Sequence, residues 1–260
     1  MDRYLRSIRL IAGAKEFKYP DFTIYFRVNF DDDEDANDAR IEVYNLSQSS
    51  ANAIKKSDYL ILNAGYDGDI GTIFTGEVDN VDIDRQQADK IATIEATDRE
   101  LWKEVKVSET WKEGTKASAI INDILGKTGF DIGDLDLPED KEYKRGKTID
   151  TTAYKAMKEL ARDCKAKFHY NKGQAFLRDK EEGDDKGVMV DKKHGLVDVP
   201  ERINDEEDEG WNVTMLLNHN VTTDVKIKVK SKTANGTFRT RKGEHICDRD
   251  RFYTKVEAVD

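Results

Sequence analysis

The run FTIYFRVNF, at 22–30, switches between apolar and polar side chains at nearly every step, and that period of two constrains the fold more than any other feature. Phe22, Ile24, Phe26 and Val28 fall on one side, with Thr23, Tyr25, Arg27 and Asn29 on the other, as in a half-buried strand. ARIEVYNL repeats the pattern, with Ile41 and Val43 set against Arg40, Glu42 and Tyr44. DYLILNAGYDG is a further strand running into a turn at Asp67, Gly68 and Asp69. GTIFTGEVDNVDIDRQQADKIATIEATD supplies two more, the first carrying Val78, Val81 and Ile83 and the second Ile91 and Ile94, with a polar loop at 85–89. SQSSANAIKKS reads as a short helix begun by Ser47. A hairpin-rich antiparallel sheet curled into a barrel is therefore expected over 1–99.

The period then changes. KASAIINDILGKTGF sets Ala117, Ile120, Ile121, Ile124 and Leu125 on one helical stripe, stopped by Gly126 or Gly129. TIDTTAYKAMKELARDCKAKF does the same with Ala153, Met157, Leu160, Ala161 and Cys164, and Asp150 or Thr151 is the expected cap. Between the two stripes, FDIGDLDLPEDKEYKRG reads as charged turns, and KFHYNKGQAFLRD reads as a hairpin about 171–173. Residues 100–185 are thus expected to form a small α+β domain. From Trp211 the period of two returns in WNVTMLLN, in DVKIKVKS, and in the closing TFRTRKGEHICD and RFYTKVEAV. EEGDD and ERINDEEDEG bracket the β-like VMVDKKHGLVDV and read as surface loops. The expected class is mainly β, α+β overall: two related antiparallel tube-like barrels, 1–99 and 186–260, with 100–185 inserted between them.

Charge narrows the function. A net charge of −10 argues against tight, sequence-independent binding to nucleic-acid phosphates. No apolar run approaches the ~20 residues that span a bilayer, and the start MDRYLRSIRLIAG does not read as a signal peptide, so assembly in a cytoplasm is expected. Cys164 and Cys247 lie far apart without C-x-x-C partners and are read as idle thiols rather than zinc ligands. His169, His194, His219 and His245 sit in separate segments with no neighbouring nucleophile. Glu206 and Glu207 belong to a run of like charges, which is usually a solvated face rather than a glycosidase dyad. No P-loop, G-x-S-x-G, H-E-x-x-H or G-x-G-x-x-G is present, so no catalytic, cofactor or metal residue is assigned. Lys226, Lys228, Lys230 and Lys232 point to one side of one strand, either protecting an open edge or forming a basic stripe for an acidic partner or another copy.

Two stretches carry a resemblance. NDARIEVYNLS, at 37–47, followed by the small helix, resembles the early hairpin of the Mu-type and late-control-D-type phage tail hub proteins. NGTFRTRKGEHICDRDRFYTKVEAVD resembles that family's closing hairpin at Gly236, Phe238, His245, Asp248, Phe252 and Thr254, and FHYNKGQAFLRD looks like part of its middle domain. The resemblance implies a structural, non-enzymatic hub of a virion tail, phage or prophage, in which three subunits form a ring at the end of the tail tube. Its implied partners are the tail tube protein, the spike and other baseplate proteins, and the tape-measure protein, with no cofactor. The chain is shorter and more acidic at ERINDEEDEG than the family pattern, and no attached lysozyme domain is expected. Two other readings stand beside the hub: a carbohydrate-binding tail-tip adhesin using Trp102, Trp111 and Trp211, and a peptidoglycan hydrolase.

DDDEDANDARIE, at 31–42, places Asp31, Asp33, Asp35, Asn37 and Glu42 at the ligand spacing of a calcium loop. Its flanks alternate as strands rather than helices, and Ala36 stands where the loop needs glycine, so a solvated hairpin tip is expected. Chelation with EGTA should accordingly leave the melting temperature unchanged in a thermal denaturation scan; a drop of several degrees would restore the metal reading.

Overall fold

The computed structural model describes residues 5–31, 37–86, 89–98, 105–129, 131–171, 174–179, 183–204 and 209–259. Two compact units emerge, Met1–Asp98 with Gly183–Asp260, and Arg99–Glu182. In chain order the strands are β1 (Arg6–Ala12), β2 (Lys15–Lys18), β3 (Ile24–Phe30) and β4 (Asp38–Tyr44). Helix α1 (Gln48–Asn52) precedes β5 (Tyr59–Tyr66), β6 (Asp69–Gln86) and β7 (Asp89–Thr97). The second unit holds β8 (Lys106–Trp111), β9 (Thr115–Lys116), α2 (Ala117–Thr128), β10 (Asp131–Leu135), β11 (Glu142–Tyr143) and β12 (Lys147–Thr152). It ends with α3 (Ala153–Asp163), β13 (Lys167–Asn171) and β14 (Gln174–Arg178). The chain then returns to the first unit with β15 (Asp184–Asp191), β16 (Glu201–Asn204), β17 (Glu209–Leu216), β18 (Val225–Lys230), β19 (Asn235–Cys247) and β20 (Phe252–Val259).

The protein is mainly β, as its alternation requires. In the first unit one open path of strands runs β16-β17-β20-β19-β3-β4-β7-β6-β5-β1-β2, with β18 and β15 branching from β19. No closed barrel forms among the described residues.

That sheet, its branch included, contains one six-strand order twice. The first copy is β3-β4-β7-β6-β5-β1 and the second is β16-β17-β20-β19-β18-β15. In each, one long strand is shared between two partners and carries an extra residue just past the point where it changes partner. β6 pairs with β5 up to Glu77 and with β7 from there on, bulging between Val78 and Asn80. β19 pairs with β18 up to Arg239 and with β20 beyond it, bulging between Thr240 and Lys242. The bulges oppose matching places, since Val78 faces Ala96 and Thr240 faces Ala258. A bulge adds a residue to one strand and sharpens its bend, which lets one strand serve two ladders. The copies differ at the end of the order, where β1 runs antiparallel to β5 but β15 runs parallel to β18.

Each copy fills its own core. The first gathers Leu10, Ile41, Leu60, Leu62 and Ile94, and the second gathers Val190, Val213, Val225 and Ile227. Residues also cross over. Phe30 of β3 lies in the second core, whereas Leu217, Cys247 and Phe252 lie in the first.

In the second unit α2 and α3 turn Ile120, Ile121, Ile124, Met157 and Leu160, all fully buried, into a core of their own. Gly129 ends α2 with φ 73°, its N–H returning to the Leu125 carbonyl. α3 starts after Thr152 rather than at the expected cap at 150 or 151, because those residues belong to β12 and pair with β8 as far as Thr152. Ser47 does cap α1, its Oγ accepting from the Ser50 N–H at 3.1 Å. FDIGDLDL is not all turn. β10 lies parallel to β14, and β13 and β14 form the expected hairpin. ERIN is likewise a strand rather than a loop, paired with β17.

Truncating Phe30 removes an aromatic side chain from a core that its own strand does not otherwise line. Phe30→Ala should cost about 3–5 kcal/mol in urea unfolding, against less than about 0.5 kcal/mol for the exposed control Lys18→Ala.

Candidate assembly interface

Residues at 24–30 and 243–247 meet as neighbouring strands. β3 pairs antiparallel with the second half of β19, Phe30 facing Gly243, Val28 facing His245 and Phe26 facing Cys247. On the exposed face Arg27 reaches Glu244 at 3.4 Å. On the buried face Phe30 lies against His245 with ring centres 5.0 Å apart. Gly243 is required here, because a Cβ would sit 2.3 Å from the Lys255 carbonyl and 2.7 Å from the Phe30 ring.

The closing hairpin explains each of its motif residues. His245 and Thr254 face each other across β19 and β20, both fully buried, with Nδ1 and Oγ1 2.9 Å apart. Thr254 Oγ1 also accepts the Asn218 N–H at 3.0 Å. Asp248 holds the turn, its carboxylate accepting from the backbone N–H groups of Asp250 and Arg251 and from Arg251 Nε. Phe252 packs edge-on against Tyr66, with centroids 5.3 Å apart. Phe238 is buried in the second core, and Gly236 lies close beside its ring. Of these residues, His245 against Phe30 and Phe252 against Tyr66 reach the first copy, and the others act within the second.

Besides β2 and β15, which end their own sides of the sheet, two further edges are open among the described residues. β6 from Val81 to its end has β7 on one side and no strand on the other among the described residues. β16 has β17 on one side and ends the path on the other. Ile83, at the open edge of β6, is 38% exposed. The Lys226, Lys228 and Lys230 strand, by contrast, is not an edge, because β18 lies between β15 and β19. Its lysines therefore protect no open ladder.

A groove of about 910 Å³ opens over the junction of the two copies. Asp31, Asp38, Asp198, Glu201, Glu244 and Glu257 line it, against Lys242 and Lys255. Lys242 pairs with Glu257 at 3.1 Å and Lys255 with Glu244 at 3.6 Å, which leaves the groove acidic.

Other residues singled out in the sequence have structural positions. Both cysteines are buried, and burial pushes the Cys247 thiol up to about 12 and raises that of Cys164, so neither is poised as a thiolate. Trp111 is half-buried and donates to Asp123 at 3.0 Å, and Trp211 packs against the second core. Trp102, Glu206, Glu207 and most of the acidic loop, 32–36, lie outside the described residues. What is described of that loop is its closure. Asn37 Oδ1 accepts the Asp31 N–H at 3.0 Å, while Asn37 donates from its own N–H and from Nδ2 to the Asp98 carboxylate, at 3.0 and 2.6 Å. Asn37 thus ties the loop to the end of β7.

A family model described as baseplate hub gp41 matches residues 36–258. No curated protein matches in sequence. Among solved structures, a tail protein from Neisseria meningitidis MC58 superposes with TM-score 0.68 at 8% identity, over 99% of this chain and 97% of that one. The 43 kDa tail protein of prophage MuSo2 from Shewanella oneidensis gives 0.70 at 10% identity, over 98% of each. The E. coli c3393 protein, a type VI secretion component with structural similarity to T4 tail proteins gp27 and gp5, gives 0.63 at 9% identity, over 96% of this chain and 76% of that one. At such identities the likeness is one of fold.

The Asn37 clamp has a pH signature. Loss of water around the Asp98 carboxyl pushes it up to about 7, with Asp31 adding repulsion, against the pull of the two Asn37 donors. An acid raised in the folded state stabilises fully below its unfolded value of 3.8 and loses that contribution as pH climbs towards 7. Between pH 5 and pH 7 the protein should therefore lose roughly 2 kcal/mol relative to Asp98→Asn, read from urea midpoints at each pH. Parallel pH curves for the two proteins would contradict this assignment.

Proposed function

The chain belongs to the baseplate hub gp41 family, and we propose that it is the non-enzymatic hub of a phage or phage-like tail, a homotrimeric ring joining the tail tube to the spike. The observation that carries this reading is the family match itself, which runs from before β4 through the rest of the first copy, the inserted unit and the second copy. The repeated strand order supports two tube-like barrels, 1–99 and 186–260, with 100–185 as the inserted domain. Three chains then present six similar units to a six-fold tube. In this reading the open sheet of each copy is completed by its neighbours, as expected for ring-forming β domains with heterologous contacts.

The acidic groove fits a surface that passes DNA without holding it, since like charge repels the phosphates. The ring would adjoin the tape-measure protein and other baseplate proteins and be assembled in the host cytoplasm. The adhesin reading has less support, because Trp111 and Trp211 pack against cores instead of offering open ring faces.

Light scattering of the purified chain should give a mass near three times 29.7 kDa, and the chain should co-purify with its tail tube protein. Clearing of peptidoglycan in a zymogram would overturn the non-enzymatic assignment, and selective binding on a glycan array would favour the adhesin.

A further inference from the structure

We propose that the solvent face of β18 and its two neighbours is a docking surface for an extended acidic segment of another protein, one that carries carboxylates at alternate residues. The surface does not depend on the ring. β18 lies between β15 and β19, so its lysines guard no edge, and what they form is a face. Val225, Ile227 and Val229 turn into the second core, which sends Lys226, Lys228 and Lys230 to the other side. β15 sets Met189 beside Lys228 and Asp191 beside Lys230. β19 sets Arg239, Thr237 and Asn235 beside the three lysines in turn, and Lys232 follows in the exposed turn.

The charge on this face is not neutralised. Lys226, Lys228, Lys230 and Lys232 enter no ion pair among the described residues, although the chain has 53 acidic side chains against 43 basic ones. The carboxylate beside Lys230 is already engaged: Asp191 lies 2.7 Å from His194 Nδ1 and accepts the N–H groups of Lys193 and His194. Arg239 adds a further cation, itself paired with Asp224. Solubility alone does not call for this arrangement, because like charges on neighbouring positions of a sheet repel. The solvent face of β4 and β7 is built the other way, with Arg40 3.2 Å from Glu95 and 3.6 Å from Glu42.

Spacing and charge select the occupant. Alternate side chains of a strand stand about 6.6 Å apart. Carboxylates at alternate residues of an extended segment therefore meet the lysines one to one, which a contiguous acidic run cannot do. Met189, 39% exposed in the middle of the stripe, offers such a segment an apolar contact. A nucleic acid would run past the stripe onto a chain of net charge −10, whereas a short acidic segment ends where the lysines end.

The test uses the full-length chain and a fluorescent peptide with glutamate at alternate positions and threonine between, followed by anisotropy at about 50 mM salt. The triple variant Lys226→Gln, Lys228→Gln, Lys230→Gln should bind it about tenfold more weakly. Removing the same charge from three other exposed lysines, Lys55→Gln, Lys56→Gln, Lys144→Gln, should leave binding within about twofold. Met189→Glu, which places a carboxylate inside the stripe, should weaken binding several-fold. A peptide of the same composition with its glutamates contiguous should also bind several-fold more weakly. The triple variant should melt no lower than the parent, since these lysines hold nothing within the chain in place. Absence of binding up to about 1 mM peptide overturns the proposal, as does equal loss in the control variant or equal binding of the contiguous peptide. Tighter binding of duplex DNA than of the alternating peptide would assign the face to nucleic acid instead. A fall in the light-scattering mass of the triple variant would assign it to contacts between copies, and either result overturns the proposal.

Discussion

Everything in the first unit depends on one ladder, β3 against the second half of β19. Its partners are separated by more than two hundred residues and by an entire second unit, so the entropy of closing that loop must be recovered by what the ladder buries. Recovery comes from exchange: Phe30 enters the second core, while Cys247 and Phe252 enter the first. A ladder of backbone bonds alone would leave two half-independent sheets. Exchanged side chains make separation of the copies expose apolar surface on both sides, and that ties their stabilities together.

The sequence made the strands legible wherever one face is buried and the other wet. FTIYFRVNF, ARIEVYNL and the closing hairpin announce themselves because their alternation is the burial pattern. ERIN did not, since an edge strand with charged side chains buries almost nothing and shows no period. DIGDL was hidden for another reason: β10 is short and mostly exposed, and it gains a partner only through a parallel pairing across α3. The lysine strand read equally well as a protected edge or as a basic stripe for a partner, because alternation reports the faces of a strand and is silent about its neighbours.

The candidate interface was half legible. Its motif residues His245, Asp248, Phe252 and Thr254 were visible as a pattern, and their tasks turned out to be pairing, turn closure and packing. Asn37 had drawn attention as a position in a calcium template, yet its amide closes the acidic loop and holds Asp98. The repeat left only a faint trace in the residues, Ile94, Glu95 and Ala96 of β7 standing where Val256, Glu257 and Ala258 stand in β20. Asp79 and Arg241 occupy the same bulge, and Ile83 and His245 the same strand position, with nothing in common chemically. A bulge is specified by an extra residue in the ladder and by the bend it permits, and many side chains meet that requirement.

The same tolerance lets the two copies diverge in what they offer. Within the chain the junction is fixed by covalent connection, so it can be optimised for burial, with Gly243 admitting the Phe30 ring and Arg27 set against Glu244. An open edge presents unpaired backbone groups and pairs indiscriminately unless something opposes it. Charged residues on both open edges, Asp82, Asp84 and Glu201 among them, supply that restraint. Like charges beside unpaired backbone groups raise the cost of adding any strand that carries the same charge. The acidity of this chain thus falls on its open edges as well as on the groove, and at the edges it opposes closure on the wrong strand.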